Sequence, residues 1–320
     1  MSLPRPPLDP DLYEAHSRFK KTSGLVPQEK LDERRRNAAL SWGAISRGRY
    51  AISHEEVDIP GPAGPLRASI LRSKKNVNPP EHTVGIVHFH GGGFCTSDRF
   101  HGLNTLFDII ETLGVVVVSA EYRLTPEHPQ PAPVDDSYAA LLWAHEHAKE
   151  LGFNPDKIVT CGGSAGGNLT AAVSLMTHDR NGPKLLGQLL YYPWLSDETI
   201  STSLDQFGDL APWTQQDTAD ALDFALGPDR AQKSIYTLPA TASDLSGMPP
   251  TYIDVGEADV FRDQDVEFAN RLWKAGIPTE FHVWLGAWHA FDTFAPEAPV
   301  SKKAFQARLE WLERLIADSE

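Results

Sequence analysis

From residue 84 onward the chain alternates short, almost wholly apolar runs with longer stretches of helical period. The runs are Val84 to Phe89, Val115 to Ala120, Ile158 to Cys161, Leu189 to Tyr192, Tyr252 to Val255 and Phe281 to Leu285. Strands without polar alternation are buried on both faces. Between them lie helical stretches at Leu103 to Leu113, Ala132 to Leu151, Asn168 to His178, Arg262 to Ala275 and Lys302 to Ala317. Regular exchange of strand and helix predicts an α/β protein whose mostly parallel sheet is covered on both faces. Further upstream, Ile52, Val57 and Ile59, then Leu66, Ala68 and Ile70, alternate with polar residues across Pro60 to Gly64. That pattern predicts an antiparallel pair at the sheet edge, which brings the total to about eight strands.

Two segments break the rhythm. Residues 9 to 20 and 28 to 46 read as helices, with Asp9 or Asp11 able to cap the first and Pro27 ahead of the second. Residues 196–240 hold a helix-like Gln215 to Leu226 inside polar and Pro-rich sequence. The division expected is therefore 1–48 as the N-terminal part of a helical cap, 49–195 and 241–320 as the two parts of an α/β core, and 196–240 as a cap insertion. A length of 320 residues suits one large core with such an appendage.

Composition narrows the partners. With 29 Lys plus Arg against 43 Asp plus Glu, the net charge is −14, and no basic run is present to hold nucleic acid or an anionic membrane. Met1 to Pro7 lacks the apolar core of a signal peptide, and no apolar run approaches a bilayer span. Only Cys95 and Cys161 are cysteines, which favours a reducing compartment and a packing role for both. A cytoplasmic location follows as the expectation.

The strongest chemical signal is Gly162-Gly163-Ser164-Ala165-Gly166-Gly167, placed directly after one predicted strand and before a predicted helix. This is the context of a nucleophile elbow, whose tight turn presents Ser164 at the carboxyl edge of the sheet. His90-Gly91-Gly92-Gly93 follows an earlier strand. Glycine N–H groups allow close approach, so Gly91 and Gly92, with the N–H of Ala165, are the expected oxyanion donors. His88-Phe89-His90 has no Cys or carboxylate at ligand spacing, so no metal or cofactor is expected, and His90 reads as a brace for the glycine loop.

With an elbow of this kind the acid and then the base follow the serine in the chain. His282 lies inside a predicted strand, whereas His289 lies just past its end and reaches the carboxyl edge. For the acid, Asp254 is within its strand, Glu257 and Asp259 are in the loop beyond, and Asp263 suits the next helix start. Asp259 is preferred over Glu257 because it lies far enough out to turn back onto His289. Phe94, Trp194, Trp213, Trp288 and Phe291 are the aromatic residues expected to bind substrate in an apolar cleft, with Phe207 and Phe224 as further candidates.

These motifs, together with Tyr122-Arg123-Leu124-Thr125-Pro126-Glu127-His128-Pro129, resemble the hormone-sensitive-lipase-like branch of the α/β-hydrolases over about residues 84 to 292. The resemblance implies an α/β-hydrolase fold with a helical cap, no cofactor, and a serine hydrolase acting on carboxylic esters; because the sequence shows no long hydrophobic lid segment suited to a lipid interface, small-molecule esters of small to medium acyl length, lactones included, are expected. It carries Ser164, Asp259 and His289 onto the triad positions and Gly91, Gly92 and Ala165 onto the oxyanion donors. A homodimer through the last strand is a further expectation from it. Amide hydrolysis would use the same triad, and a ligand-binding receptor of this fold would lack the base that His289 supplies. The chain departs from the family's usual residues at Gly163, Glu121, Thr125 and Gln130, none of which removes a catalytic atom. Arg123, Glu127 and His128 read as structural, forming buried charge-assisted bonds beneath the glycine loop.

Overall fold

The sheet has eight strands: β1 (Ile52–Gly61), β2 (Gly64–Ser73), β3 (Gly85–Phe89), β4 (Val116–Ala120), β5 (Ile158–Gly163), β6 (Leu185–Tyr191), β7 (Thr251–Ala258) and β8 (Thr279–Trp288). Their spatial order is β1-β2-β4-β3-β5-β6-β7-β8. Only β2 runs against the others, being antiparallel to both β1 and β4. The computed structural model describes residues 3–19, 24–49, 51–227, 230 and 232–319. Residue 20, where the first predicted helix was to end, and positions 1–2, 21–23, 50, 228–229, 231 and 320 of the predicted cap and core spans lie outside the described residues.

The predicted edge pair is present, with Pro62 and Ala63 forming the turn between the paired residues Gly61 and Gly64. Strands β3 to β7 are almost wholly buried, as continuous apolar runs require. The last strand differs from expectation. β8 is an edge strand, at the opposite end of the sheet from β1, so it is wet along much of its length, and Val283 and Leu285 are exposed, Leu285 by 73%.

Helices Ala132–Glu146, Ala165–Asp179 and Arg262–Lys274 cover one face, while Phe107–Leu113 and Pro299–Ala317 cover the other. The second of these is buried from Ala165 through Thr177, and its small residues let it sit close against the sheet. The first predicted segment is a 3₁₀ turn, Pro10–Leu12, followed by Tyr13–Ser17, with Asp9 capping through Asp11 N–H. The second is two helices, Gln28–Ala38 and Trp42–Ile45. Within 196–240, Gln215–Leu226 starts at a capping box formed by Thr214 and Asp217, and a second helix, Thr202–Phe207, was not expected.

A buried ion network closes the carboxyl end of the sheet. Arg308, on the last helix, donates twice to Asp254 of β7 at 2.8 and 2.9 Å and also bonds Asp292, all three fully buried. Asp292 in turn accepts the Tyr192 hydroxyl at 2.9 Å. Loss of one partner in such a network strands a charge away from water, which costs about 3–5 kcal/mol. Asp292 lies three residues after His289, so this network anchors the loop that carries the expected base.

Candidate active site

Ser164 adopts φ +58° and ψ −121°, a sparsely populated conformation for a residue with a side chain. Its neighbours hold it there. Ser164 N–H donates to Tyr191 O at 2.9 Å, and its carbonyl accepts from Trp194 N at 3.0 Å and Asn168 N at 3.1 Å. A Cβ on Gly166 would lie 2.0 Å from Phe89 O, and one on Gly162 would lie 2.5 Å from Gly166, so only glycine permits the turn. The helix begins at Ala165, directly after the serine and three residues earlier than the hydrophobic period suggested.

His289 follows β8 directly and Asp259 follows β7 directly. His289 Nε2 is 3.0 Å from Ser164 Oγ, and Nδ1 is 2.8 Å from Asp259 Oδ2. A carboxylate needs a donor, so Nδ1 carries the proton and Nε2 is left to accept the serine O–H. Asp259 is fully buried, and its other oxygen takes Phe261 N–H at 2.9 Å. The imidazole is held edge-on by Tyr192 and Phe261, each 5.1 Å away. Glu257 lies within β7, not beyond it, and accepts Gly286 N–H at 3.0 Å. Asp254 belongs to the Arg308 network, and Asp263 sits in the first turn of Arg262–Lys274 as expected.

The glycine loop is aimed by its own carbonyls. In a trans peptide the N–H points opposite to the C=O. Tyr122 O–H donates to His90 O at 2.8 Å, which turns the Gly91 N–H the other way; His90 Nδ1–H donates to Gly91 O at 2.8 Å and does the same for Gly92. The His90 ring stacks on Tyr122 at 4.1 Å, and burial lowers its pKa to about 4. Among the described residues no acceptor takes the N–H of Gly91, Gly92 or Ala165.

Of the residues read as structural, Arg123 forms a bidentate pair with the buried Asp136 at 2.7 and 2.8 Å. Glu127 and His128 are exposed instead of buried beneath the loop. Glu127 meets Arg35, whose guanidinium donates to both carboxylate oxygens at 2.7 Å and holds that carboxyl at about 2. Arg35 also donates to Cys95 O and Thr125 O, each at 2.8 Å, and so straps the N-terminal helix to the loop after Gly93. A solvent-facing helix with three consecutive arginines gave no sequence signal that one of them reaches inward.

Ser164 and His289 open into a cleft of about 880 Å³. Of the five aromatic residues expected there, Trp213 alone lines it, with its ring laid over Gly93. Phe94, Trp194, Trp288 and Phe291 pack behind the wall. Phe94 contacts Trp194, which stacks on Phe261 behind His289, and Trp288 and Phe291 fill a separate buried cluster. The lining aromatics missed from sequence are Phe19, Tyr191, Tyr192 and Phe294. Gly163 stands where related sequences often carry Asp, and the Tyr192 ring takes that space, 2.9 Å from where a Cβ would be.

Comparison with known proteins matches residues 86–293 to the family described as alpha/beta hydrolase fold. The chain is 36% identical over 239 residues to carboxylesterase NlhH of Mycobacterium tuberculosis, covering 72% of this chain and 73% of the relative. Among solved structures it superposes on a bacterial heroin esterase with TM-score 0.86 and 31% identity, covering 97% of this chain and 98% of the other. Esterase LipW from Mycobacterium marinum gives 0.84 and 28%, over 97% and 98%. The chain belongs to the alpha/beta hydrolase fold family, in its hormone-sensitive-lipase-like branch.

Three histidines near the site are neutral through burial. The pKa of His88 is lowered to about 3, and those of His90 and His101 to about 4. An unfolded imidazole titrates near 6.5, so between about 4 and 6.5 the unfolded chain binds more protons. Stability present above pH 6.5 is therefore lost as the pH falls. Urea midpoints should drop between pH 7 and pH 4.5; a level or rising midpoint contradicts the assignment.

Proposed function

We propose that this chain is a carboxylesterase, a carboxylic ester hydrolase with Ser164 as nucleophile, His289 as general base and acid, and Asp259 as the orienting carboxylate. The observation that carries the reading is the continuous hydrogen-bonded line from Asp259 through His289 to Ser164 at the floor of the cleft. The names of its relatives, a carboxylesterase and esterases, agree with it.

As Ser164 Oγ attacks the ester carbonyl carbon, its proton passes to His289 Nε2. Asp259 holds the tautomer and stabilises the imidazolium. The carbonyl oxygen becomes an oxyanion taken by the N–H groups of Gly91, Gly92 and Ala165. The C–O bond then breaks, His289 returns the proton to the departing alcohol, and an acyl group remains on Ser164. Water, deprotonated by His289, attacks that acyl carbon and releases the acid, with the proton restored to Ser164. A cleft of about 880 Å³ bounded by Phe19, Trp213, Tyr192 and Phe294 suits small to medium esters and lactones. A receptor reading lacks support, because the base is present and oriented.

The N-terminal segment and the 196–240 insertion act as one cap in this reading. They are tied by Arg34 to Asp217 at 2.8 Å and by Asp220 accepting Leu25 N–H at 2.5 Å. Cytoplasmic location is supported by both thiols being free and buried, and cell fractionation reads it directly. Among the described residues no helix is long and apolar enough to cross a membrane. Homodimerisation through the open edge of β8 is part of this reading, supported by the exposure of Val283 and Leu285 there. Sedimentation equilibrium should give twice the chain mass, reverting to monomer in Leu285→Lys; a wild-type monomer at micromolar concentration contradicts it.

Ser164→Ala should remove hydrolysis of p-nitrophenyl esters from acetate to laurate while leaving the melting curve intact. Asp259→Asn should lower kcat by about four orders of magnitude through the wrong imidazole tautomer. Glu257→Gln keeps an amide oxygen to accept the Gly286 N–H and loses only the charge on that bond, so it should cost less than about tenfold. If Glu257→Gln proves the more damaging, the acid is misassigned.

A further inference from the structure

One wall of the cleft is polar, carries no charge and takes no part in the steps above. It consists of His88, His101, Asn104 and Thr105, contributed by the end of β3 and the loop after the glycine turn. His101 lies close to the reacting centre: a Cβ on Gly91 would be 3.7 Å from its ring and 3.5 Å from Ser164 Cβ.

The hydrogen-bond sense of this wall can be worked out from its neighbours. Ser119 Oγ donates its only proton to Arg99 O at 2.7 Å. Its contact with His88 Nδ1 at 2.9 Å must therefore be one in which the imidazole donates. His88 Nε2 is then a bare acceptor, without a partner among the described residues, and the absence of a side chain at Gly102 leaves room in front of it, a Cβ there coming within 3.4 Å. Thr105 likewise donates its proton to Gly102 O at 2.7 Å and keeps lone pairs to offer. His101, a neutral imidazole with no hydrogen-bond partner among the described residues, supplies one donor and one acceptor, and Asn104 adds an amide.

What such a wall would recognise follows from charge and desolvation. The charged residues lining the cleft, Arg18, Lys30, Glu33 and Arg34, all come from the N-terminal segment. Of the carboxylates whose charge His101 feels, Asp98 is engaged by Leu40 N and Phe100 N, and Asp292 by Arg308 and Tyr192. A substrate anion would face those carboxylates, and the wall itself contributes no cationic side chain. An ammonium would be desolvated without a free carboxylate to pair with it. A bare alkyl group would cover His88 Nε2 and Thr105 Oγ1 without satisfying either. A neutral hydrogen-bond donor meets all three conditions.

We propose that this wall is a subsite for an uncharged hydroxyl group, so that the preferred substrates are esters bearing hydroxyls at a distance from the ester, of the polyol, sugar or hydroxyacyl kind. The inference rests on the esterase reading and names its substrate class. His88 Nε2 accepts from the hydroxyl and His101 accepts from it or donates to it, so both act as specificity determinants while Ser164, His289 and Asp259 do the chemistry.

Two isosteric pairs test it by proton release at constant pH: 6-hydroxyhexyl acetate against heptyl acetate for the alcohol side, and methyl 6-hydroxyhexanoate against methyl heptanoate for the acyl side. A remote hydroxyl leaves the intrinsic reactivity of the ester unchanged, so the ratio of kcat/KM within a pair reports recognition. One pair should favour the hydroxylated member by about tenfold, the size expected when a site built for a hydroxyl meets an analogue lacking it. The pair that does so tells which side of the ester the wall holds. His101→Leu should bring that ratio to one or below, and His101→Gln should keep most of it. Should His101→Leu fail to fold, Thr105→Val carries the same reading. Preference for the methyl-terminated member in both pairs, or a ratio unmoved by these variants, overturns the proposal. No turnover of any of the four esters, together with none of the aryl esters, overturns the esterase reading instead.

Discussion

The whole site depends on the backbone of one residue. Ser164 is held at φ +58° against a cost of about 1–3 kcal/mol for such a conformation, and the structure supplies that from three directions. Tyr191 on β6 takes its N–H, Trp194 and Asn168 take its carbonyl, and the glycines at 162 and 166 let the following helix touch the end of β3. Because the turn is fixed, the serine hydroxyl, the first N–H of the helix and the glycine loop after β3 have one relative placement. The reaction asks for that placement before substrate arrives.

A second tier of interactions keeps the other partners where the elbow needs them. Arg308 draws β7, the loop after His289 and the residue after β6 together through Asp254, Asp292 and Tyr192. The Tyr122 hydroxyl and the His90 ring turn two peptide planes so that their N–H groups stay unclaimed. Arg35 attaches the helix Gln28–Ala38 to the far end of the same loop through two carbonyls and Glu127. The 196–240 segment therefore meets the core at the glycine loop, where Trp213 rests on Gly93. In the proposed mechanism, access to the reacting atoms and stabilisation of the oxyanion thus share one structural element.

The sheet, its edge pair and the juxtaposition of Asp259, His289 and Ser164 were legible because each rests on a local rule: apolar runs of strand length, a glycine-framed turn, and residues placed directly after strand ends. β8 misled in burial, because an apolar run at an open edge reads like one in the interior. The cleft walls were harder still. Phe94, Trp194, Trp288 and Phe291 stand beside the motifs in sequence, yet the pleat and the turns send them behind the site. Phe19 and Arg35 come from a polar segment whose contacts depend on how the cap docks, and periodicity carries nothing about docking. Glu127 stands in a motif that points to a buried role, but it lies at the surface, where it meets the half-buried Arg35, 92 residues away in the chain.

The central claim is that Ser164 alone forms the acyl-enzyme. Its most direct test is to treat the folded protein with diethyl p-nitrophenyl phosphate and follow activity beside peptide mass spectrometry. The account predicts one diethylphosphoryl group per chain, on Ser164, with activity lost in proportion to labelling and no labelling in Asp259→Asn or His289→Ala on the same timescale. Labelling at another residue, or activity that survives full modification of Ser164, would contradict it.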